Sequence, residues 1–351
     1  MDEQIDSTAD RWVEHLGGTI KSRPFREACT AYASRLVENG FPVVFNLQHL
    51  AKVTGLKTRV VGSQVFRTER YYRKFSIPKR TGGLRTIHTP YPSLLLCQRW
   101  INYRVLTGIR VHKHAHGFVS GRSVLSNALP HLQKRWMLKM DIKDFFPSIS
   151  IRRIVPIFRR CGYSRDVSYF LSRQCCLEDV LPQGAATSPT LSNIVLKRTD
   201  SRLTALAESF AATYTRYADD LTFSGDYLPA RIIDIVSRIV TDEGFRVNTA
   251  KTRLVGPKGR KIVTGVSVSG ASPRLPRQTK RVLRQELFHL HTKGYAKHTA
   301  VRQILDPLYA ERLLGKLSFW LQIEPDSPFA RQALDWMAEV RGTLQVLGRH
   351  T

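Results

Sequence analysis

The stretch TRYADDLTFS at residues 215–224 sets two aspartates side by side between runs of threonine, tyrosine and phenylalanine. The flanking residue types favour extended strands and the short polar centre interrupts them, so the segment reads as a tight hairpin with Asp219 and Asp220 at its tip. A hairpin commits this part of the chain to an antiparallel sheet. It also pins two like charges together, because the strands keep the pair from splaying apart. A cation held against the pair would relieve that repulsion; a solvated turn is the plain alternative for two adjacent aspartates taken alone.

The rest of the chain must supply helices and strands around this hairpin. REACTAYASRLVENG and NLQHLAKVTGL have the spacing of short amphipathic helices, the first closed by Gly40 and Pro42. Residues 71–90 alternate and turn at Gly82-Gly83, which predicts a second hairpin with basic residues on both arms. A helix is expected over 92–108, then a strand through RWMLKMDIKDFF, then a helix opened by Ser150. SPTLSNIVLKRTDSRLTALAESF has the period of one long helix, and PARIIDIVSRIVTDEGF of another. RKIVTGVSVSG reads as a strand pair, and from about 276 onward the pattern is helical and basic. Such mixing of helices with antiparallel strands makes the chain α+β.

Charge narrows the partners. The 351 residues carry 55 Lys+Arg against 28 Asp+Glu, a formal net charge of +27. Basic residues recur along the whole length, in KSRPFR, YYRKFSIPKR, IRRIVPIFRR, KTRLVGPKGRK and PRLPRQTKRVLRQ, so a long positively lined channel for a polyanion is expected. A membrane surface would also attract such a chain. No apolar run reaches the ~18 residues of a membrane span, and MDEQIDSTADRW is unlike a signal or transit peptide, which favours the cytoplasm. Five cysteines without a Cys-x-x-Cys pair argue against a zinc site or a disulfide framework.

Two further motifs bear on the aspartate pair. KMDIKDFF offers Asp141 at the end of an apolar strand. Phosphoryl transfer with two divalent cations needs anionic oxygens from more than one strand, and Asp141 would be the third, although alone it could equally be a strand-end or helix-capping aspartate. LPQGAATSPTLSN at 181–193 has Gly184 and small neighbours that let a nucleotide or template base approach the backbone; by itself it is a Gly-Pro loop before a helix.

In this order IPKRTGGLRTI, MDIKDFF, LPQGAATSP and YADD resemble the fingers motif and the three central palm motifs of RNA-directed DNA polymerases, spanning most of residues 71–270. NALPH at 127–131 and VTG at 263–265 are similar to two elements of the bacterial retron reverse transcriptases. Outside that context NALPH is an ordinary helix turn whose asparagine and histidine face solvent.

The resemblance implies an α+β right-hand polymerase fold, with a helical N-terminal region over 1–60, fingers and palm over 61–270, and a basic helical, RNA-recognising thumb over 271–351 that includes GKLSFWLQIEP. It implies that Asp141, Asp219 and Asp220 form the catalytic, Mg²⁺-holding triad for two ions, with one of the adjacent pair acting either directly or indirectly. The primer hydroxyl would attack the α-phosphorus in line, and no side-chain nucleophile is needed. Lys79, Arg85, Asp144, Phe146, Gln183 and Lys251 would meet the nucleotide. Phe146 would exclude a ribose 2′-OH, unless it is the core member of the Phe145-Phe146 pair. Tyr217, Val263, Thr264 and Gly265 would support the primer end, and Asn127, Ala128 and His131 form the retron-specific element.

The implied partners are deoxynucleotides and a cognate structured non-coding RNA that serves as template and, through an internal guanosine 2′-OH, as primer for a branched single-stranded DNA. A separate RNase H, because the chain leaves no room for that domain, and an effector protein within an antiphage defence system complete the set; no membrane is implied. Group II intron and diversity-generating reverse transcriptases, or a non-catalytic RNA-binding protein on a polymerase fold, are the competing readings.

Overall fold

A computed structural model describes residues 9–78 and 82–347, so Lys79 lies outside the described residues. Four helices open the fold: α1 (Ala9–Thr19), α2 (Arg23–Glu38), α3 (Leu47–Val53) and α4 (Thr58–Phe66). Helix α1 lies within the helical N-terminal region expected over 1–60, although its own segment carried no individual helix prediction; Trp12 sets its ring edge-on to Phe45 at 5.5 Å. Helix α2 ends at Asn39, and Gly40 takes φ +74°, a left-handed conformation that glycine adopts without a Cβ penalty. Asn46 caps α3 by accepting from the His49 N–H at 2.8 Å.

Strands β1 (Tyr72–Pro78) and β2 (Leu84–Pro90) form the basic hairpin, in a register that puts Ile77 opposite Arg85. After α5 (Pro92–Arg104) and the short α6 (Val124–Ala128) comes β3 (Trp136–Asp141). Helices α7 (Ile151–Cys161), α8 (Arg165–Cys175), α9 (Ser188–Val195) and α10 (Lys197–Ser209) follow. The single long helix expected over 188–210 is thus two. Leu196, fully buried, has ψ −2° where a helix needs about −42°, and the helix is interrupted there.

Strands β4 (Thr213–Tyr217) and β5 (Asp220–Gly225) are the aspartate hairpin. Next come α11 (Ile232–Asp242), β6 (Arg253–Val255), β7 (Ile262–Val263) and β8 (Val266–Ser267). Four helices complete the described chain: α12 (Arg277–Lys293), α13 (Tyr295–Val301), α14 (Tyr309–Ile323) and α15 (Pro328–Leu347).

The central sheet is antiparallel with strand order β4-β5-β3-β6. Successive side chains of a strand point to opposite faces, and here the two faces have different tasks. Leu138 and Met140 of β3 with Leu221 and Phe223 of β5 pack into the main core under the helices. The other face carries Lys139, Asp141, Asp220, Thr222 and Ser224. Each fully buried large aliphatic or aromatic side chain contributes about 1.5–3 kcal/mol, so this alternation fixes the register that places the carboxylates.

Ala33, Leu36 and Leu50 of the N-terminal helices belong to the same core as the sheet. A second core joins α12, α14 and α15 to Val263 and Val266 of the β7-β8 hairpin and to Met137 and Ala128. Among the described residues no helix is long and apolar enough to cross a membrane.

Candidate active site

Asp141 is the last residue of β3 and stands directly opposite Asp220, the first residue of β5. Directly opposed residues of an antiparallel pair have Cβ atoms about 4.5–5.5 Å apart, so the register itself brings two carboxylates together on one face. Asp219 occupies the β4-β5 turn. Ala218 before it has φ +56°, and the Asp219 carbonyl accepts from the Ile142 N–H at 3.0 Å, which ties the turn to the exit of β3.

Asp141 is 5% exposed. Its backbone carbonyl accepts from the Asn248 N–H at 2.7 Å, while its side chain accepts from Asn248 Nδ2 at 3.2 Å and Lys251 Nζ at 2.7 Å. Burial, then the charges of Asp141 and Asp220, push the Asp219 carboxyl up to about 6. Burial raises Asp220 as well, with Lys139 opposing and Asp141 adding to the rise. The hydrogen bond to Asp141 raises Lys251.

Four aromatic rings, of Phe145, Phe146, Phe118 and Tyr217, contact one another in series beside the chain positions of the carboxylates. Phe145 is the core member of its pair, whereas Phe146 is only half-buried, 5.1 Å from the Phe145 ring. Phe118, 47% exposed and at φ +62°, stands 6.3 Å from Phe146 and 6.5 Å from Tyr217. Asp144 is exposed in the turn after β3, with φ +49°, a conformation aspartate tolerates better than most residues.

The Gln183 carbonyl accepts from the His88 N–H at 2.8 Å, which docks strand β2 on the loop before α9. Gly184 is required there: φ is +126°, and a Cβ would come within 2.6 Å of the His88 carbonyl oxygen. Arg85 is exposed on the hairpin, and among the described residues it has no ion-pair partner and no hydrogen bond to the carboxylates.

Asn127 and His131 do not face solvent. His131 is fully buried between Ser224 Oγ at 2.6 Å and Thr215 Oγ1 at 2.7 Å, joining both strands of the aspartate hairpin. Burial chiefly, with His116 and Lys134 adding, lowers its pKa to about 3, so the ring is neutral at pH 7. Asn127 Nδ2 reaches Thr264 Oγ1 at 3.5 Å, and Thr264 Oγ1 donates to the Val124 carbonyl at 3.0 Å. Ala128 and Val263 are buried in the second core. Thr264 and Gly265 have φ +46° and +84°, the two-residue turn of a tight β7-β8 hairpin. The two elements that sequence placed far apart therefore touch.

The reverse transcriptase (RNA-dependent DNA polymerase) family model matches residues 77–271. Over 311 residues the chain is 37% identical to the retron Mx65 reverse transcriptase of Myxococcus xanthus, covering 80% of this chain and 73% of that protein. It is 32% identical over 297 residues to the retron Ec86 reverse transcriptase of Escherichia coli, covering 84% and 89%. The chain belongs to the retron reverse transcriptases. Among solved structures, telomerase from Candida albicans in complex with the TWJ fragment of telomeric RNA is similar at a TM-score of 0.42 and 11% identity, over 77% of this chain and 63% of that one, which is too loose to add to the assignment.

As a retron reverse transcriptase the protein is an RNA-directed DNA polymerase, and its family uses divalent metal ions. Among the described residues no three His, Cys, Asp or Glu side chains are already gathered into a metal-holding cluster, and Lys251 engages one oxygen of Asp141 instead. The donor set fits such an ion nonetheless. Hard carboxylate oxygens suit Mg²⁺, and the burial and mutual repulsion that raise Asp219 and Asp220 are what a divalent cation would relieve.

Sequence reasoning missed Asn248 and Phe118 in this retron reverse transcriptase. Asn248 lay in view beside Lys251 in NTAKTRL, but only the fold shows it holding Asp141 by backbone and side chain. Phe118 is signalled only by the Gly-Phe dipeptide in AHGFVSGR.

Proposed function

We propose that this retron reverse transcriptase copies its own structured non-coding RNA, starting from the 2′-OH of an internal guanosine, and makes a branched, multicopy single-stranded DNA. The observation that carries the catalytic part is the register: Asp141 stands opposite Asp220 with Asp219 in the adjoining turn, which puts three acidic residues at one end of the sheet, near enough for the charges of Asp141 and Asp220 to raise Asp219. Two Mg²⁺ held by these carboxylates would activate the primer hydroxyl and neutralise the triphosphate. Lys251, its side chain 56% exposed, has the charge and exposure to meet a phosphate, as does the exposed Arg85, and Lys79 would add a third positive charge. The half-buried Phe146 ring would close the space that a ribose 2′-OH needs. Asp144 and Gln183 would contact the nucleotide, Tyr217 the primer end, and the Val263–Gly265 turn would back it. No side chain serves as nucleophile.

Helices α12 to α15, rich in Lys and Arg, would act as thumb and choose the RNA, with phosphate contacts giving affinity and contacts to loops giving specificity. Template removal by a separate RNase H, an effector partner, a bacterial cytoplasmic setting and a role in antiphage defence belong to the same reading. The test is co-expression with the structured RNA encoded beside the gene. The expected product is DNA joined to RNA through a 2′–5′ bond and released by a debranching enzyme. DNA that is made but never joined to the RNA would leave a polymerase without retron priming.

A further inference from the structure

The turn that carries Asp219 is held from behind by a charged group that the proposed chemistry does not use. Arg216 and Asp200 are both 0% exposed. The guanidinium forks onto the carboxylate, Nε to Oδ1 and Nη2 to Oδ2, each at 2.7 Å. Its Nη1 donates to Asn193 Oδ1 at 2.9 Å and to the Ala218 carbonyl at 3.0 Å. Tyr214 Oη donates to the same Asp200 Oδ1 at 2.8 Å. Asn193 Nδ2 in turn donates to the Gly117 carbonyl at 2.8 Å. Gly117 lies so close to the turn that a Cβ there would fall 2.5 Å from the Ala218 N.

A buried ion pair is weak evidence for stability, because apolar residues of similar volume often replace one at no cost. What this pair supplies is a fixed direction for one peptide group. The Ala218 carbonyl belongs to the peptide that joins Ala218 to Asp219, so a donor on that oxygen sets the plane from which the Asp219 side chain projects. Ala218 sits at φ +56°, a left-handed conformation that is strained for a non-glycine residue and persists only where the surroundings over-determine it. The surroundings here are Nη1 on its carbonyl and Gly117 against its nitrogen. Asn193 lies on α9, which follows directly from the Gln183 loop, and Asp200 on α10 beyond the break at Leu196.

We infer that Arg216, Asp200 and Asn193 are positioning residues that orient the Ala218–Asp219 peptide, and through it the Asp219 carboxylate, for nucleotidyl transfer. The inference rests on reading Asp219 as a catalytic carboxylate. Arg216→Lys keeps a positive charge for Asp200 but offers one nitrogen where three are engaged. Arg216→Met combined with Asp200→Leu removes the pair while keeping its volume. Both variants are assayed for primer extension, primer–template affinity and thermal midpoint, beside Asp219→Asn.

The expected result is a folded variant whose kcat falls by up to roughly 100-fold, the scale set by an ångström of misplacement. Its KM for deoxynucleotides and its primer–template affinity should stay within about threefold of the parent, because neither Arg216 nor Asp200 touches substrate in this reading. A folded variant with parental kcat overturns the inference. So does a loss of kcat that vanishes when the assay runs well below the variant's thermal midpoint, or the failure of both variants to fold, since either outcome assigns the pair to stability alone. If Asp219→Asn itself keeps synthesising DNA, the carboxylate reading is what fails.

Discussion

At the scale of single residues, repulsion among the carboxylates makes a pH-dependent prediction. The Asp219 pKa is raised from 3.8 to about 6 in the folded chain, so between those values the folded state binds more protons than the unfolded one. Stability of the metal-free protein therefore falls as pH rises through that window, and Asp220 shifts in the same direction. Asp219→Asn removes the charge at nearly constant shape. At pH 7 and in a chelator it should raise the thermal midpoint by a few degrees, on the order of 1 kcal/mol, and the gain should vanish below about pH 4. An unchanged midpoint at pH 7 would mean that the carboxylate is not strained. Phe146→Ala tests the sugar gate: the ratio of ribonucleotide to deoxynucleotide incorporation should rise by about tenfold or more. A folded variant with unchanged discrimination would leave Phe146 as a packing residue and turn attention to Phe118, 6.3 Å away.

At the scale of elements, the β7-β8 hairpin needs both turn residues at positive φ. Gly265→Asn should be tolerated, whereas Gly265→Val should destabilise by about 1–2 kcal/mol, read as a lower thermal midpoint. Equal midpoints for the two would contradict the turn assignment. The aspartate hairpin, the fingers hairpin at Gly82-Gly83 and the closing of α2 by Gly40 were all legible in sequence, because each is written in local residue chemistry. What escaped depends on distant partners. Ser150 marked the start of α7 correctly, but the break at Leu196 was invisible because the apolar period continues through it. His131 could not be seen to be buried, since its partners Thr215 and Ser224 lie in another element. The order of the motifs pointed to Asp141, Asp219 and Asp220, yet no sequence pattern announces that Asp200 meets Arg216 or that Asn248 grips Asp141.

At the scale of the whole molecule, the +27 charge and the separate core of the C-terminal helices suggest a division of labour between phosphate attraction and RNA choice. Exchanging residues 276–351 for those of another retron reverse transcriptase should abolish synthesis on the cognate RNA but spare extension of an ordinary annealed primer. Phosphate attraction alone is nearly indifferent to sequence, so generic binding should persist and weaken steeply with added salt. An exchanged protein that still prefers its original RNA would move recognition to the fingers or the N-terminal helices. DNA synthesis on RNA is expected to depend on the carboxylates of Asp141, Asp219 and Asp220 at the ends of β3 and β5. The most direct measurement is deoxynucleotide incorporation on an RNA template with Mg²⁺ by Asp219→Asn/Asp220→Asn, with RNA affinity measured on the same preparation. Incorporation should be lost entirely while RNA affinity stays within a few-fold of the parent; a folded double variant that still extends the primer would contradict the account.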